Sequence, residues 1–160
     1  MTTRLDHALT YDAPVADVAA MLADPAFREE VCVRTGTIRH GVSIEGSGAG
    51  MHVSIDQAQS AAGIPSFAKR LVGDEIHYVQ VEEWSAVDQA RVTVAIPGKP
   101  GEMAGTIALA EAAGTTTETV SMEIRVSIPL VGGKIEGMVA DMLLAALRIE
   151  NKVGRDYLSR

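Results

Sequence analysis

Aromatic side chains are scarce in this sequence: one Trp, three Tyr and two Phe, or 4% of 160 residues. With 47% hydrophobic residues, the apolar mass is aliphatic, carried by Ala, Val, Ile, Leu and seven Met. Cysteine is all but missing, with Cys32 alone, so no intrachain disulfide and no thiolate cluster for zinc or iron–sulfur can form. That usage suits a reducing compartment. Basic residues are outnumbered 14 to 21, a net charge of −7, which excludes a phosphate-tracking surface and leaves no expectation of nucleic acid as a partner. Long apolar runs are also lacking. The most apolar segment, Met138 to Leu147, is interrupted by Asp141 and falls short of the ~18 residues of a membrane span. Met1 to Asp12 carries Arg4, Asp6 and Asp12 and does not read as a signal peptide. The expectation is a cytoplasmic protein without stable membrane insertion.

What is present is strong periodicity. Thr3 to Tyr11 alternates as a strand, with Leu5, His7, Leu9 and Tyr11 on one side. Asp12-Ala13-Pro14 predicts a capped helix start, and Asp24-Pro25 ends that helix and starts a second, to about Arg34. Six further strands follow as hairpins. Between Thr37–Glu45 and Gly50–Gln59, a four-residue turn pairs Ile44 with Met51, Val42 with Val53 and His40 with Ile55. Between Ile76–Trp84 and Gln89–Ile96, a turn over Ser85 to Asp88 pairs Val81 with Val92, Val79 with Val94 and His77 with Ile96. That register sends Tyr78, Gln80, Glu82 and Trp84 to the outer face. The next turns match Ile96 with Met103, then Ile107 with Val120 and Met103 with Ile124. Finally Ile135, Met138, Val139, Met142, Ala146, Ile149, Val153 and Tyr157 make one apolar stripe on a long helix. One-sided strands need such a helix as their cover.

This order resembles the START-like superfamily, also called SRPBCC or helix-grip. The resemblance is carried by Asp12-Ala13-Pro14-Val15 followed by Asp24-Pro25, by the hairpin Gly46-Ser47-Gly48-Ala49-Gly50, and by Ile128-Pro129-Leu130 leading into the last helix. Asp6-His7, Gly63-Ile64-Pro65-Ser66-Phe67-Ala68-Lys69 and Ile96-Pro97-Gly98-Lys99-Pro100-Gly101-Glu102-Met103 look most like an actinobacterial family of unknown function within it. The resemblance implies an α+β helix-grip fold as a single domain over residues 1–160. A seven-stranded curved antiparallel sheet would wrap a long C-terminal helix, with two short helices between strands 1 and 2. It also implies a hydrophobic cavity between sheet and helix.

The candidate site is the inner face. The residues expected to meet a ligand are His7, His40, Met51, Val53, His77, Val79, Val92, Val94, Met103, Ile107, Met122 and Ile124 from the sheet, with Met138 and Met142 from the helix. A filled core is the alternative; the shortage of large aromatic fillers favours a cavity, and Met adapts to varied apolar shapes. Such pockets run to ~300–1,000 Å³. The apolar connection Ser60 to Gly73, with Ile64, Phe67 and Leu71, reads as a lid, a dimer contact or a short packed helix. Gly46 to Gly50 lies between strands and so reads as a hairpin, without the following helix a nucleotide loop needs. No spacing calls for a metal or a cofactor.

The function expected is non-enzymatic binding or carriage of an apolar small molecule of lipid, isoprenoid or polyketide-like chemistry. The alternatives are a cyclase or hydrolase using His7, His40 or His77 as general base, and a homodimeric interaction module built on the lid.

Overall fold

Apolar alternation on one side of each strand and a matching stripe on the last helix dictate a two-layer arrangement, and a computed structural model of residues 2–160 has it. Strand β1 (Thr3–Tyr11) precedes α1 (Val15–Leu22) and α2 (Pro25–Thr35), then β2 (Arg39–Glu45) and β3 (His52–Ser60). A short helix, α3 (Ser66–Val72), leads to β4 (Glu75–Ala86), β5 (Gln89–Ala95), β6 (Glu102–Ala112) and β7 (Thr115–Arg125), and α4 (Gly132–Leu158) closes the chain. The strands form one antiparallel sheet in the order β1-β7-β6-β5-β4-β3-β2, so β1 and β2 are its opposite edges.

Local chemistry sets the boundaries. Asp24 caps α2 by accepting the Ala26 amide at 2.9 Å, with Pro25 in the first turn. Asp12 does not cap α1. Pro14 holds that position, and the Val15 amide donates instead to Glu111 of β6 at 2.6 Å. The start of α4 is tied to the sheet through Glu136, which accepts from the Val126 amide at 2.9 Å and from Thr3 Oγ1 at 2.8 Å.

The β6–β7 register agrees with the sequence reading, including Met103 opposite Ile124. Two hairpins are displaced by two residues: Ile44 faces Val53 and Val42 faces Ile55, while Met103 faces Val94. Because strands repeat every second residue, those shifts keep the inner face intact. The β4–β5 hairpin is displaced by one, with Val81 opposite Thr93 and Glu82 opposite Val92. An irregularity at Ser85, between Trp84 and Ala86, puts an extra residue into β4. Every side chain of β4 therefore changes sides relative to the sequence reading. His77, Val79 and Val81 face outward, and Ile76, Tyr78, Gln80, Glu82 and Trp84 face the inner side, toward the helices.

β6 and β7 approach closely at Gly105 of β6. A Cβ there would overlap the Ser121 carbonyl of β7 and lie 2.8 Å from Met122 Sδ. The obstacle is backbone and cannot rotate away. Gly105→Ala is expected to cost about 1–3 kcal/mol as local overpacking. That lowers Tm by roughly 2–4 °C per kcal/mol, read by differential scanning calorimetry. An unchanged Tm would refute this role.

Candidate functional site

Helix α4 packs closest to β1 and then β7. On the other side of its axis it stands off from β4, β5 and β6, and a chamber of about 130 Å³ is left between them. Ile76, Val94 and Met103 line it from the sheet, Met138 and Met142 from α4, and Leu71 and Val72 from α3. A second chamber of about 90 Å³ runs toward α2 and shares Tyr78, Val94, Leu143 and Ala146 with the first. A third space of about 50 Å³ shares Met103, Ile135 and Val139 and reaches the β5–β6 turn at Lys99. Each is smaller than the ~300–1,000 Å³ expected of a ligand pocket. The first two are divided chiefly by side chains, with Tyr78 between them. Its hydroxyl accepts from Gln59 Nε2 at 2.9 Å and donates to Gln57 Oε1 at 3.2 Å. A larger concavity of about 650 Å³ lies on the opposite, convex face among Arg4, Glu83, Arg91 and Glu123. It is open to solvent, with Arg4, Glu83, Arg91 and Glu123 set among Val81, Thr93, Ala104 and Thr106.

The two inner chambers differ in chemistry. The first is almost wholly apolar. The second is walled by Arg28, Gln57, Gln80 and Glu150 as well as Cys32. Arg28 of α2 is 4% exposed and Glu82 of β4 fully buried, so their charges must answer each other. They do so through two parallel bonds of 2.9 and 2.8 Å, while Arg28 Nε donates to the Leu22 carbonyl at 2.8 Å. Gln80 Nε2 at 2.7 Å and Trp84 Nε1 at 3.0 Å complete the shell of the Glu82 carboxylate.

Two more carboxyls join this interior. Glu118 of β7 is 2% exposed, and the buried Tyr11 hydroxyl lies beside its carboxyl. Burial, and next the neighbouring Glu150, hold the Glu118 carboxyl well above the usual range, against the pull of Arg28. Glu150 of α4 is only half-buried; desolvation still pushes it up to about 7, with Arg28 opposing and Glu82 adding to the rise. Burial pushes the Cys32 thiol up to about 11, which leaves it protonated and unreactive.

The structure brings Val94, Met103, Met138 and Met142 together around the first chamber. Ile124 lines the third space. Met51, Val53, Val92, Ile107 and Met122 are buried in the packed core. Of the lid residues, Leu71 lines the chamber, Ile64 is half-buried and Phe67 is exposed, on what proves to be a short helix. His77 and Val79 lie on the outer face, where His77 Nε2 meets Asp56 at 2.7 Å. His40 is exposed at the start of β2, 3.3 Å from Thr37 Oγ1, and His7 is half-buried on the opposite edge strand. The three imidazoles therefore do not converge. Arg28, Glu82, Glu118 and Glu150 were not foreseen. Two of them carried a signal: Glu118 shares the parity of Val120, Met122 and Ile124, and Glu150 follows Ala146 by one helical turn. Among the described residues no group of His, Cys, Asp and Glu could hold a metal ion. None of their helices is long and apolar enough to cross a membrane.

A sheet gripping a long terminal helix above an inner cavity defines the helix-grip class, and solved structures of that class match along nearly the whole chain. A protein from Thermus thermophilus, TTHA0849, superposes with a TM-score of 0.64 at 14% identity, covering 98% of this chain and 95% of that one. Norcoclaurine synthase from Thalictrum flavum gives 0.64 at 17% identity, covering 100% and 88%. The ZhuI aromatase/cyclase from Streptomyces sp. R1128 gives 0.60 at 14% identity, covering 98% and 90%. At these identities the likeness is one of fold. No curated protein matches the sequence. The chain belongs to the family of proteins of unknown function DUF2505, which matches residues 6–158.

Two outcomes follow from the buried charges. Arg28→Met strands Glu82 and is expected to cost about 3–5 kcal/mol in urea unfolding, most of it recovered in the double variant Arg28→Met/Glu82→Leu. A double variant no more stable than the single one would refute the pairing. For Glu150, the folded form holds a proton that the unfolded form releases, between its ordinary 4.5 and about 7. Stability therefore falls as pH rises through that window. Thermal melts are expected to show a Tm that rises on acidification from neutral toward pH 5, and a flatter profile in Glu150→Gln.

Proposed function

We propose that this protein binds an apolar small molecule between its sheet and α4, in the reducing setting its lone buried cysteine suits. The observation that carries the reading is the chamber lined by Met103, Met138 and Met142, continuous in its walls with a polar chamber beyond Tyr78. An apolar void of this kind stays dry and favours an apolar occupant; an engineered cavity of ~150 Å³ takes up benzene. Each Å² of apolar ligand surface buried there contributes ~25 cal/mol. Met side chains and the Tyr78 partition can move to admit a body larger than either chamber. The helix-grip neighbours support the reading, since one was solved in complex with dopamine and hydroxybenzaldehyde.

Binding without turnover is the form this reading takes. A proton-transfer enzyme is the second reading, favoured by one observation: the Glu150 carboxyl, pushed up to about 7, lines a chamber. The histidine version has no such support, because the imidazoles lie apart. The dimeric module retains only exposed Phe67.

Ala146 borders both inner chambers, so Ala146→Phe is expected to fill them. The variant should lose uptake of an apolar fluorescent probe about tenfold or more, with Tm held or raised. Equal uptake by the filled variant would place the probe elsewhere and overturn the reading.

A further inference from the structure

The second chamber is short of positive charge. Among the described residues, Arg28 is the only cation in its wall, where Cys32 of α2, Tyr78 of β4 and Glu150 of α4 are the other titratable groups; Glu82 of β4, paired with Arg28, and Glu118 of β7, with Tyr11 of β1 beside it, lie nearby without lining it. Arg28 is also spent. It meets Glu82 through both terminal nitrogens and Leu22 through Nε. A ligand carboxylate or phosphate would find no unpaired cation there and two further carboxyls nearby. Glu150 forms part of the chamber wall itself, and the apolar chamber adjoins across Tyr78 and Leu143.

We infer that the occupant is an amphiphilic amine, with its apolar body among Met103, Met138 and Met142 and its protonated nitrogen docked on Glu150. This rests on the binding reading above and narrows it to one ligand class. The ammonium supplies the missing positive charge and N–H donors to an acceptor-rich wall. A neutral alcohol of the same length gains the apolar burial alone. A carboxylate gains that burial against repulsion in a medium of low dielectric.

Decylamine, decanol and decanoate share one chain and differ in the head. Their binding to the wild-type protein near neutral pH is compared by isothermal titration calorimetry, counting only saturable one-to-one uptake. Decylamine is expected to bind about tenfold or more tighter than decanol, with decanoate weakest. Titration in two buffers of different ionisation enthalpy is expected to show proton release for decylamine alone, as the nitrogen drives Glu150 to its charged form. Glu150→Gln is expected to remove the amine preference and leave decanol within about twofold. Decanol matching decylamine, or a preference that survives Glu150→Gln, overturns the amine assignment and leaves the cavity reading standing. Failure of all three to bind overturns both. If Glu150→Gln does not fold, the wild-type comparison and its proton release decide.

Discussion

The buried pair between Arg28 and Glu82 is the constraint around which the interior is arranged. Taking either charge out of water alone costs several kcal/mol, so each can occupy its place only because the other does. Arg28 arrives from α2 and Glu82 from the centre of β4, and the pair fastens a helix to the sheet from within. Once Glu82 points inward, strand alternation sends Tyr78, Gln80 and Trp84 inward with it. Two of these complete the carboxylate's shell, and the third divides the chambers. The polar wall of the second chamber is thus a consequence of one ion pair and the strand period.

Scarce aromatics acquire a location in the fold. Tyr11, Phe27 and Trp84 are buried in the core, and Phe27 meets Tyr157 edge-on at 5.6 Å between ring centres. Gly154 lets α4 approach Tyr11, since a Cβ there would come within 2.6 Å of its ring. The end of α4 around Gly154, against β1 and α1, is closely packed. The half that carries Met138 and Met142 faces Ile76, Tyr78, Val94, Ile96 and Met103 across the sheet, and there the packing is open. The cavity is the part of the core where Tyr78 is the lone aromatic side chain among the lining residues.

The element order, the inner face of six strands and the covering stripe of α4 were legible because each repeats many times along the chain. Register errors of two residues did no harm for the same reason of period. The β4 strand was misread because its local pattern points the wrong way. Val79 and Val81 look like core residues, and Gln80 and Glu82 look like surface. A single extra residue at Ser85 reverses them, and nothing short of the partner on α2 explains why an inward glutamate is tolerated. The site escaped the reading at the point where local preference and fold disagree, which is where function is often found. The histidines drew attention for chemistry alone. Only the sheet order, with β1 and β2 at opposite edges, shows why they stay apart.

The interior's charge is fixed in one part and adjustable in another. Glu82 is paired through two bonds with Arg28 and enclosed by Gln80 and Trp84, so its partners do not depend on what enters the chamber. Glu150 has no such shell among the described residues, and desolvation favours the protonated forms of Glu118 and Glu150. A proton is the smallest cation that can settle them, and it comes from water. Anything else that settles Glu150 must bring positive charge and displace that proton. A wall built this way resists anions and is indifferent to neutral bodies. Its selectivity comes from the protonation of a carboxyl, and the apolar chamber supplies affinity without distinguishing one head group from another.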